Sequence, residues 1–322
     1  MKAIQIKETG GPEVLKYTDL PDPSPTPDEV LFDIESIGVN FIDIQIRRGQ
    51  YPRQLPLIPG FEAAGRVANV GDQVTEYEVG DRVAMAGLSM GSYADKMAVP
   101  AWQLVKIPES ISFDTAAALL EQGLTAHYLC RSTYPLGPND TCLIHAGAGG
   151  VGLLLIQMAK KLGARVITTV STESKSEIAR SAGADHVVLY TEKDFVKEVT
   201  KITGVDGIDV VYDSVGATTF QKSINCLRPR GYMVLFGQAS GPVPAIPVST
   251  IQDKSIFFTR PGLNHYVLTK SELKKRADEL LAWTASGELT VRIHNRYKLE
   301  DAHRAHADLE GRLSTGKLIL VP

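Results

Sequence analysis

Six consecutive residues, Gly147-Ala148-Gly149-Gly150-Val151-Gly152, carry the most specific chemistry in the chain. They fit the spacing GxGxxG, follow the apolar run Thr141-Cys142-Leu143-Ile144-His145, and open a stretch of helix formers from Leu153 to Lys160. In a strand, turn and helix of this order, Gly147 lets the chain turn tightly and Gly149 lets the backbone approach a pyrophosphate. Gly152 lets the helix pack on the strand, while Gly150 and Val151 begin the helix whose first N–H groups face the phosphates. A bare GxGxxG is weak evidence, but in this context it predicts a dinucleotide site.

The next apolar run, Arg165-Val166-Ile167-Thr168-Thr169-Val170, ends without the Asp or Glu that binds adenosine ribose hydroxyls in NAD sites. It continues Ser171-Thr172-Glu173-Ser174-Lys175, so hydroxyls and an ammonium are offered where a 2′-phosphate would sit, which points to NADPH. The alternative is that Lys175 is a solvated helix residue and Glu173 supplies the missing acid. His303 and His306 stand three apart on an expected helix and have the look of metal ligands. No thiol or carboxylate set of matching geometry accompanies them, so they are expected as a surface pair and no metal site is assigned. The three cysteines, Cys130, Cys142 and Cys226, are far apart and odd in number, which fits free buried thiols better than disulfides or a CxxC site.

The elements that must position these residues fall into two textures. The first third is broken by Gly and Pro into short strand patterns, Glu29–Ile34, Ala64–Val70 and Asp81–Met85, the texture of an irregular all-β domain. The proline-rich stretch Pro21–Pro27 reads as an extended surface connector. From about Ser112 a helix pattern begins, and apolar runs then alternate with helical stretches: 141–145, 165–170, 186–189, 208–212 and 232–236. Such alternation implies right-handed crossovers and a parallel sheet covered on both faces. A helix from Ser271 to Ser286, another from Leu299 to Glu310 and a closing strand, Lys317–Val321, follow. A final strand needs an existing sheet, so the tail is expected to return to the N-terminal domain.

Length and composition agree with an α/β protein of two domains: 322 residues, 43% hydrophobic and 22% charged. A formal charge of −3 gives no basic field for nucleic acid or anionic lipid, which makes a small molecule the expected partner. The N-terminal residues Met1–Glu8 alternate apolar and charged types, and no window reaches the length of a membrane span, so a cytoplasmic protein is expected.

With the glycine loop placed, the chain resembles the medium-chain dehydrogenase/reductase superfamily and, within it, the zinc-free quinone oxidoreductase (zeta-crystallin-like) branch. The likeness is carried by Gly10-Gly11-Pro12-Glu13-Val14-Leu15, Gly38-Val39-Asn40-Phe41-Ile42-Asp43, Pro59-Gly60-Phe61-Glu62-Ala63-Ala64-Gly65, Val79-Gly80-Asp81-Arg82-Val83, the glycine loop, and Val211-Tyr212-Asp213-Ser214-Val215-Gly216. It implies a GroES-like catalytic domain made of residues 1–124 and 263–322. A Rossmann domain of residues 125–262 lies between these segments, with a cofactor in the cleft. Carried over by position, Asn40 resembles the residue facing the nicotinamide ribose and Tyr51 the aromatic residue at the mouth of the substrate cleft. Thr125 resembles a helix residue near the cofactor, and Lys175 and Tyr190, with Ser171 beside them, those holding the adenosine end. Phe236-Gly237-Gln238 and Gly316-Lys317 resemble loops closing over the nicotinamide and phosphates. For each, the alternative is an ordinary turn or core residue.

Two positions depart from relatives: Phe61 stands where some have threonine and Gln45 where some have tyrosine, so the cleft is expected to differ in shape. Alcohol dehydrogenases hold catalytic zinc through Cys and His at the segment that here reads Gly38–Asp43, where neither type occurs. Without a Lewis acid, electron-poor acceptors are favoured. The resemblance thus implies hydride transfer from NADPH to a quinone, with Asn40 and Tyr51 as the catalytic positions. An enone, alkenal or enoyl reductase is the rival within the fold, and a non-catalytic, crystallin-like NADPH-binding protein the rival outside catalysis. Ser255-Ile256-Phe257-Phe258-Thr259 is the candidate outer strand of a homodimer.

Overall fold

The computed structural model describes residues 1–204 and 206–322. It divides into two compact units, Met1–Leu124 with Tyr266–Pro322, and Thr125–His265. In the first unit β1 (Lys2–Gln5) and β2 (Lys16–Asp19) form a small antiparallel pair. The long strand β3 (Glu29–Val39) leads into a short helix, α1 (Phe41–Arg47). The strands β4 (Glu62–Val70), β5 (Arg82–Ala86), β6 (Lys96–Pro100) and β7 (Leu104–Lys106) precede α2 (Phe113–Tyr128). Residues 21–26, within the proline-rich stretch, have no regular structure, as the missing N–H groups of proline require.

The second unit is a six-stranded parallel sheet. Its strands are β8 (Thr141–His145), β9 (Arg165–Val170), β10 (His186–Leu189), β11 (Ile208–Asp213), β12 (Leu227–Leu235) and β13 (Phe257–Thr259). Helices α3 (Gly150–Lys161), α4 (Glu173–Ser181), α5 (Phe195–Thr203) and α6 (Phe220–Cys226) connect the first five. The lateral order, β10-β9-β8-β11-β12-β13, reverses direction between β8 and β11, the doubly wound arrangement in which ligands bind beyond the strand ends at the reversal. Strands β8, β9 and β10 coincide with the apolar runs read from sequence. β12 starts earlier than expected because its pairing with β11 jumps from Leu227 to Tyr232, leaving a bulge that contains Arg230 at φ 61°.

The chain then returns to the first unit through α7 (Lys270–Ala285), β14 (Ile293–Lys298), α8 (Ala302–Glu310) and β15 (Lys317–Val321). Its large sheet runs β14-β15-β3-β4-β5-β7, with β6 also on β3. The N-terminal half of β3 pairs with β6 over Glu29–Asp33, and its C-terminal half pairs with β15 over Ile37–Val39. The closing strand therefore completes a sheet that β3 begins. Val30, Phe32 and Ile34 alternate into the core, whereas Ser36 to Val39 are all buried because elements cover both faces there. The expected helix Leu299–Glu310 is a 3-10 turn, Leu299–Asp301, followed by α8.

Candidate active site

In the second unit the carboxyl ends of the parallel strands bring several expected residues to one edge. Ala146 leaves β8 with a positive φ of 57°, and the loop closes with the Gly149 N–H donating to Ala146 O at 2.9 Å. A Cβ on Gly147 would meet Thr168 Oγ1 at 2.0 Å, and one on Gly152 would meet Ala146 O at 2.4 Å, so neither position admits a side chain. A Cβ on Gly149 would meet only Ala146 O, at 3.2 Å, which leaves its outer side open to a close-packed group. Gly149 caps α3 without a side-chain hydrogen bond, so no side chain of its own competes for the first N–H groups of that helix. Gly147, Gly149, Gly150, Val151 and Gly152 thus form an anion-receiving turn that fits a pyrophosphate.

Ser171 directly follows β9, and Tyr190, 43% exposed just past β10, is held near it by its N–H donating to Val170 O at 3.1 Å. Lys175 lies partly exposed in the first turn of α4, its N–H on Thr172 Oγ1, while Glu173 is paired with Arg180 at 2.9 Å. After β12, the Phe236 and Gly237 N–H groups donate to Asp213 O, and Gln238 Oε1 accepts from Arg260 at 3.1 Å. Asp213 is fully buried and orders the neighbouring turn by accepting from the N–H groups of Val215 and Gly216 and from Thr219 Oγ1. Thr125 is partly buried on α2.

The first unit holds a buried polar cluster around Asn40, which caps α1. The Lys317 ammonium donates to Asn40 Oδ1 at 2.6 Å and pairs with Glu62, both charged side chains being fully buried. Asn40 Nδ2 donates to Glu62 Oε2 at 3.0 Å, and the Asn40 N–H to Asp43 Oδ2 at 2.8 Å, half of a capping box. Asp43 Oδ2 also accepts from the Tyr93 hydroxyl at 3.0 Å. With that proton committed, Tyr93 accepts from His306 Nε2 at 2.9 Å, and His306 Nδ1 accepts from Arg47 Nη1 at 3.1 Å. Arg47 is anchored by Glu310 Oε1 at 2.6 Å and Gly10 O at 3.2 Å. On the other side of Glu62, its Oε1 accepts the Glu121 N–H at 2.7 Å. Gly38 makes the cluster possible, since a Cβ there would strike Ala117 O at 2.2 Å and Glu62 Oε2 at 2.3 Å.

Burial governs the ionisation of this cluster. Asp43 is raised to about 7, its hydrogen bonds from Asn40 and Tyr93 and the nearby Lys317 only partly offsetting desolvation. Glu121 is raised to about 8 by burial and by Glu62. His306 is lowered to about 3 by burial and by the Arg47 guanidinium, so it is neutral, with Nε2 protonated.

The structure unites Asn40 with Lys317 and gathers the glycine loop, Ser171, Tyr190 and the Phe236–Gln238 turn along one sheet edge. Tyr51 lies in the loop after α1, partly buried against the core of its own unit. Two expectations need correction. Lys317 is not on a closing loop: it opens β15 and spends its ammonium on Glu62 and Asn40, because those acceptors offset its desolvation. His303 and His306 are not a surface pair: His303 is exposed, but α8 turns His306 inward, where both ring nitrogens are bonded. Glu62, Glu121, Tyr93 and Arg47 were given no role from sequence. The Asn40-x-x-Asp43 spacing, which matches N-cap and N3, was the one available signal for the cluster.

A family model described as "Alcohol dehydrogenase GroES-like domain" matches residues 26–109, and one described as "Zinc-binding dehydrogenase" matches residues 150–283. Together with the doubly wound sheet and its glycine loop, these matches define a medium-chain dehydrogenase/reductase. The chain is 42% identical to a quinone oxidoreductase of Pseudomonas aeruginosa, with 100% of this chain and 99% of the relative covered. It is 40% identical to a 2-haloacrylate reductase of a Burkholderia species, with 99% and 98% covered. The crystal structure of Escherichia coli quinone oxidoreductase complexed with NADPH superposes with a TM-score of 0.98 at 42% identity, over 100% of both chains. The chain belongs to the quinone oxidoreductase family of this superfamily.

The ionisation pattern sets a pH dependence of stability. Asp43 and Glu121 keep protons in the folded state, to about 7 and about 8, that the unfolded chain releases from their ordinary 3.8 and 4.5 upward, so their contribution is lost as pH rises through that window. His306, held at about 3, opposes them only below its ordinary 6.5, where the unfolded chain takes up a proton that the folded one refuses. The unfolding free energy from urea titrations should therefore fall between pH 6.5 and about 8, by up to roughly 1.4 kcal/mol per group per pH unit. Glu121→Gln should flatten that fall; an equally steep decline in the variant would contradict the assignment.

Proposed function

We propose that the protein is an NADPH-dependent quinone oxidoreductase that needs no metal. The observation that carries this reading is the glycine loop at the end of β8, at the strand-order reversal, in a chain of the quinone oxidoreductase family. NADPH, when bound, supplies the hydride. The open turn at Gly149 and the first N–H groups of α3 receive its pyrophosphate, with Ser171 and Tyr190 beside its adenosine end. Lys175 meets the 2′-phosphate, and Glu173, engaged by Arg180, is not presented as a ribose acid. Asn40 cannot swing, because its carboxamide is held from both ends by Lys317 and Glu62, and it serves to orient the nicotinamide ribose. Tyr51 positions the acceptor, and Thr125 and the Phe236–Gln238 turn complete the cofactor contacts.

Zinc independence is supported by the side chains themselves: the Gly38–Asp43 segment lacks Cys and His, and an ammonium already meets Glu62 and Asn40. The work left to the protein is proximity and the exclusion of competing water around an electron-poor acceptor. Reduction of an activated C=C bond is the second reading, favoured by the 40% identity to a 2-haloacrylate reductase. Three buried cysteines that form no disulfide among the described residues suit the reducing cytosol.

Assays of NADPH and NADH oxidation against quinones, enals and enoyl thioesters test both cofactor and acceptor. NADPH should bind more tightly, Lys175→Glu should erode that preference roughly 10- to 100-fold, and Tyr51→Ala should cut quinone turnover far more than NADPH affinity. Equal dissociation constants for the two cofactors, or NADPH binding with no acceptor reduced, would sink the reading.

A homodimer is part of the proposal. Strand β13 is the sheet's outer strand among the described residues, pairing with β12, and its Phe257 and Phe258 are 52% and 42% exposed. An isologous contact between two such edges would close both. Sedimentation at micromolar concentration should give twice the chain mass, and Phe257→Lys should give the monomer; a monomeric parent protein would refute the contact.

A further inference from the structure

Between Ser171 and Ser176 the chain carries four hydroxyls, one ammonium and a single acid, Glu173. Glu173 opens α4, where a free carboxylate is favoured by the field of the helix N-terminus and would compete with a phosphate for it. Arg180 lies seven residues on, two turns along the same face, which separates the two Cα atoms by roughly 10 Å along the axis. The 2.9 Å contact from Arg180 Nη1 to Glu173 Oε1 therefore requires both side chains to extend along the helix toward one another. Side chains on a helix lean toward its N-terminus, which suits Arg180 and runs against the lean of Glu173. Glu177, three residues before Arg180, is the pairing that helix spacing favours, yet the guanidinium reaches past it to Glu173. The Glu173 carboxylate is thus drawn back along α4, away from the end of β9 and from the first N–H groups of the helix.

We propose that Arg180 sets the choice between the two nicotinamide cofactors by holding Glu173 out of the adenosine site. The inference rests on the proposed placement of the adenosine end beside Ser171 and Lys175. A ribose 2′-hydroxyl is a donor that a carboxylate here would accept, as acids do in sites for NADH, whereas a 2′-phosphate brings only acceptors and negative charge. With Glu173 withdrawn, the phosphate meets Lys175 and neutral hydroxyls. With Glu173 released, the phosphate meets a like charge and the ribose of NADH gains an acceptor. Both side chains are more than half exposed, at 58% and 54%, so the pair is a light latch that favours the withdrawn arrangement by roughly fivefold or less. Arg180 acts through Glu173 and is a positioning residue for specificity.

Direct titration of the intact protein with NADPH and with NADH, without acceptor, tests this in Arg180→Ala, Glu173→Gln and the double variant. Both positions are exposed on α4, so the substitutions leave its buried residues, Ser176 and Ala179, untouched. Arg180→Ala should weaken NADPH roughly two- to fourfold through the released like charge. It should tighten NADH roughly two- to fivefold, because the competent arrangement of Glu173 is no longer held back. The ratio of the two dissociation constants then moves about 4- to 20-fold toward NADH. Glu173→Gln alone should not weaken NADPH, and the double variant should return to within about twofold of the wild-type ratio. Loss of a cation or damage to α4 would instead persist in the double variant. An unchanged ratio in Arg180→Ala, or a ratio that stays shifted in the double variant, would overturn the proposal while leaving the NADPH preference intact. Equal affinity for the two cofactors in the wild-type protein would remove the NADPH reading, and this role with it.

Discussion

The buried contact between the Lys317 ammonium and the Glu62 carboxylate is the constraint around which the first unit is arranged. Both side chains are fully removed from water, so each charge carries a desolvation cost of several kcal/mol that only close, well-directed partners offset. Those partners lie 255 residues apart in the chain, which obliges the last strand to pair with β3 beside the strand that carries Glu62. Asn40 is the third member and inherits its orientation from the other two. Gly38 is part of the same constraint, because any side chain there would occupy the space of the Glu62 carboxylate and of the α2 backbone. A second tier, from Asp43 through Tyr93 and His306 to Arg47, ties the start of α1 to α8, so both chain ends hold the Asn40 cap.

Among the described residues, the second unit solves its problem without comparable buried ion pairs. Its strands are apolar on both faces, its crossovers are helical, and its anion-receiving turn comes from backbone and missing side chains. Here the shape of the loop depends on sterics at Gly147 and Gly152 and on the strand order. The buried Asp213 carboxyl orders the local turns. The two units thus use opposite means, one a specific polar network and the other a generic sheet edge.

This difference explains what could be read from sequence. Strands β8, β9, β10 and β15 were legible to the residue because apolar runs of β-branched side chains bounded by turn residues signal their own limits. The glycine loop was legible because its sterics are local. The cluster around Lys317 was not, since the first residue of a terminal strand gives no sign that its ammonium is buried until the acceptors that hold it are known. His306 was misplaced for the same reason: its burial follows from how α8 packs, which an i, i+3 spacing with His303 cannot reveal. Glu121 lay in a helix pattern with nothing to mark it until Glu62 was placed beside it.

A double-mutant cycle on Lys317 and Glu62, followed by urea unfolding, tests most directly whether that contact organises the unit. Lys317→Met and Glu62→Gln should each cost about 3–5 kcal/mol, since each strands a buried partner. The double variant should be less damaged than the sum of the two by at least about 2 kcal/mol. Costs that add to within about 0.5 kcal/mol would show that the two charges do not depend on one another and would contradict the account.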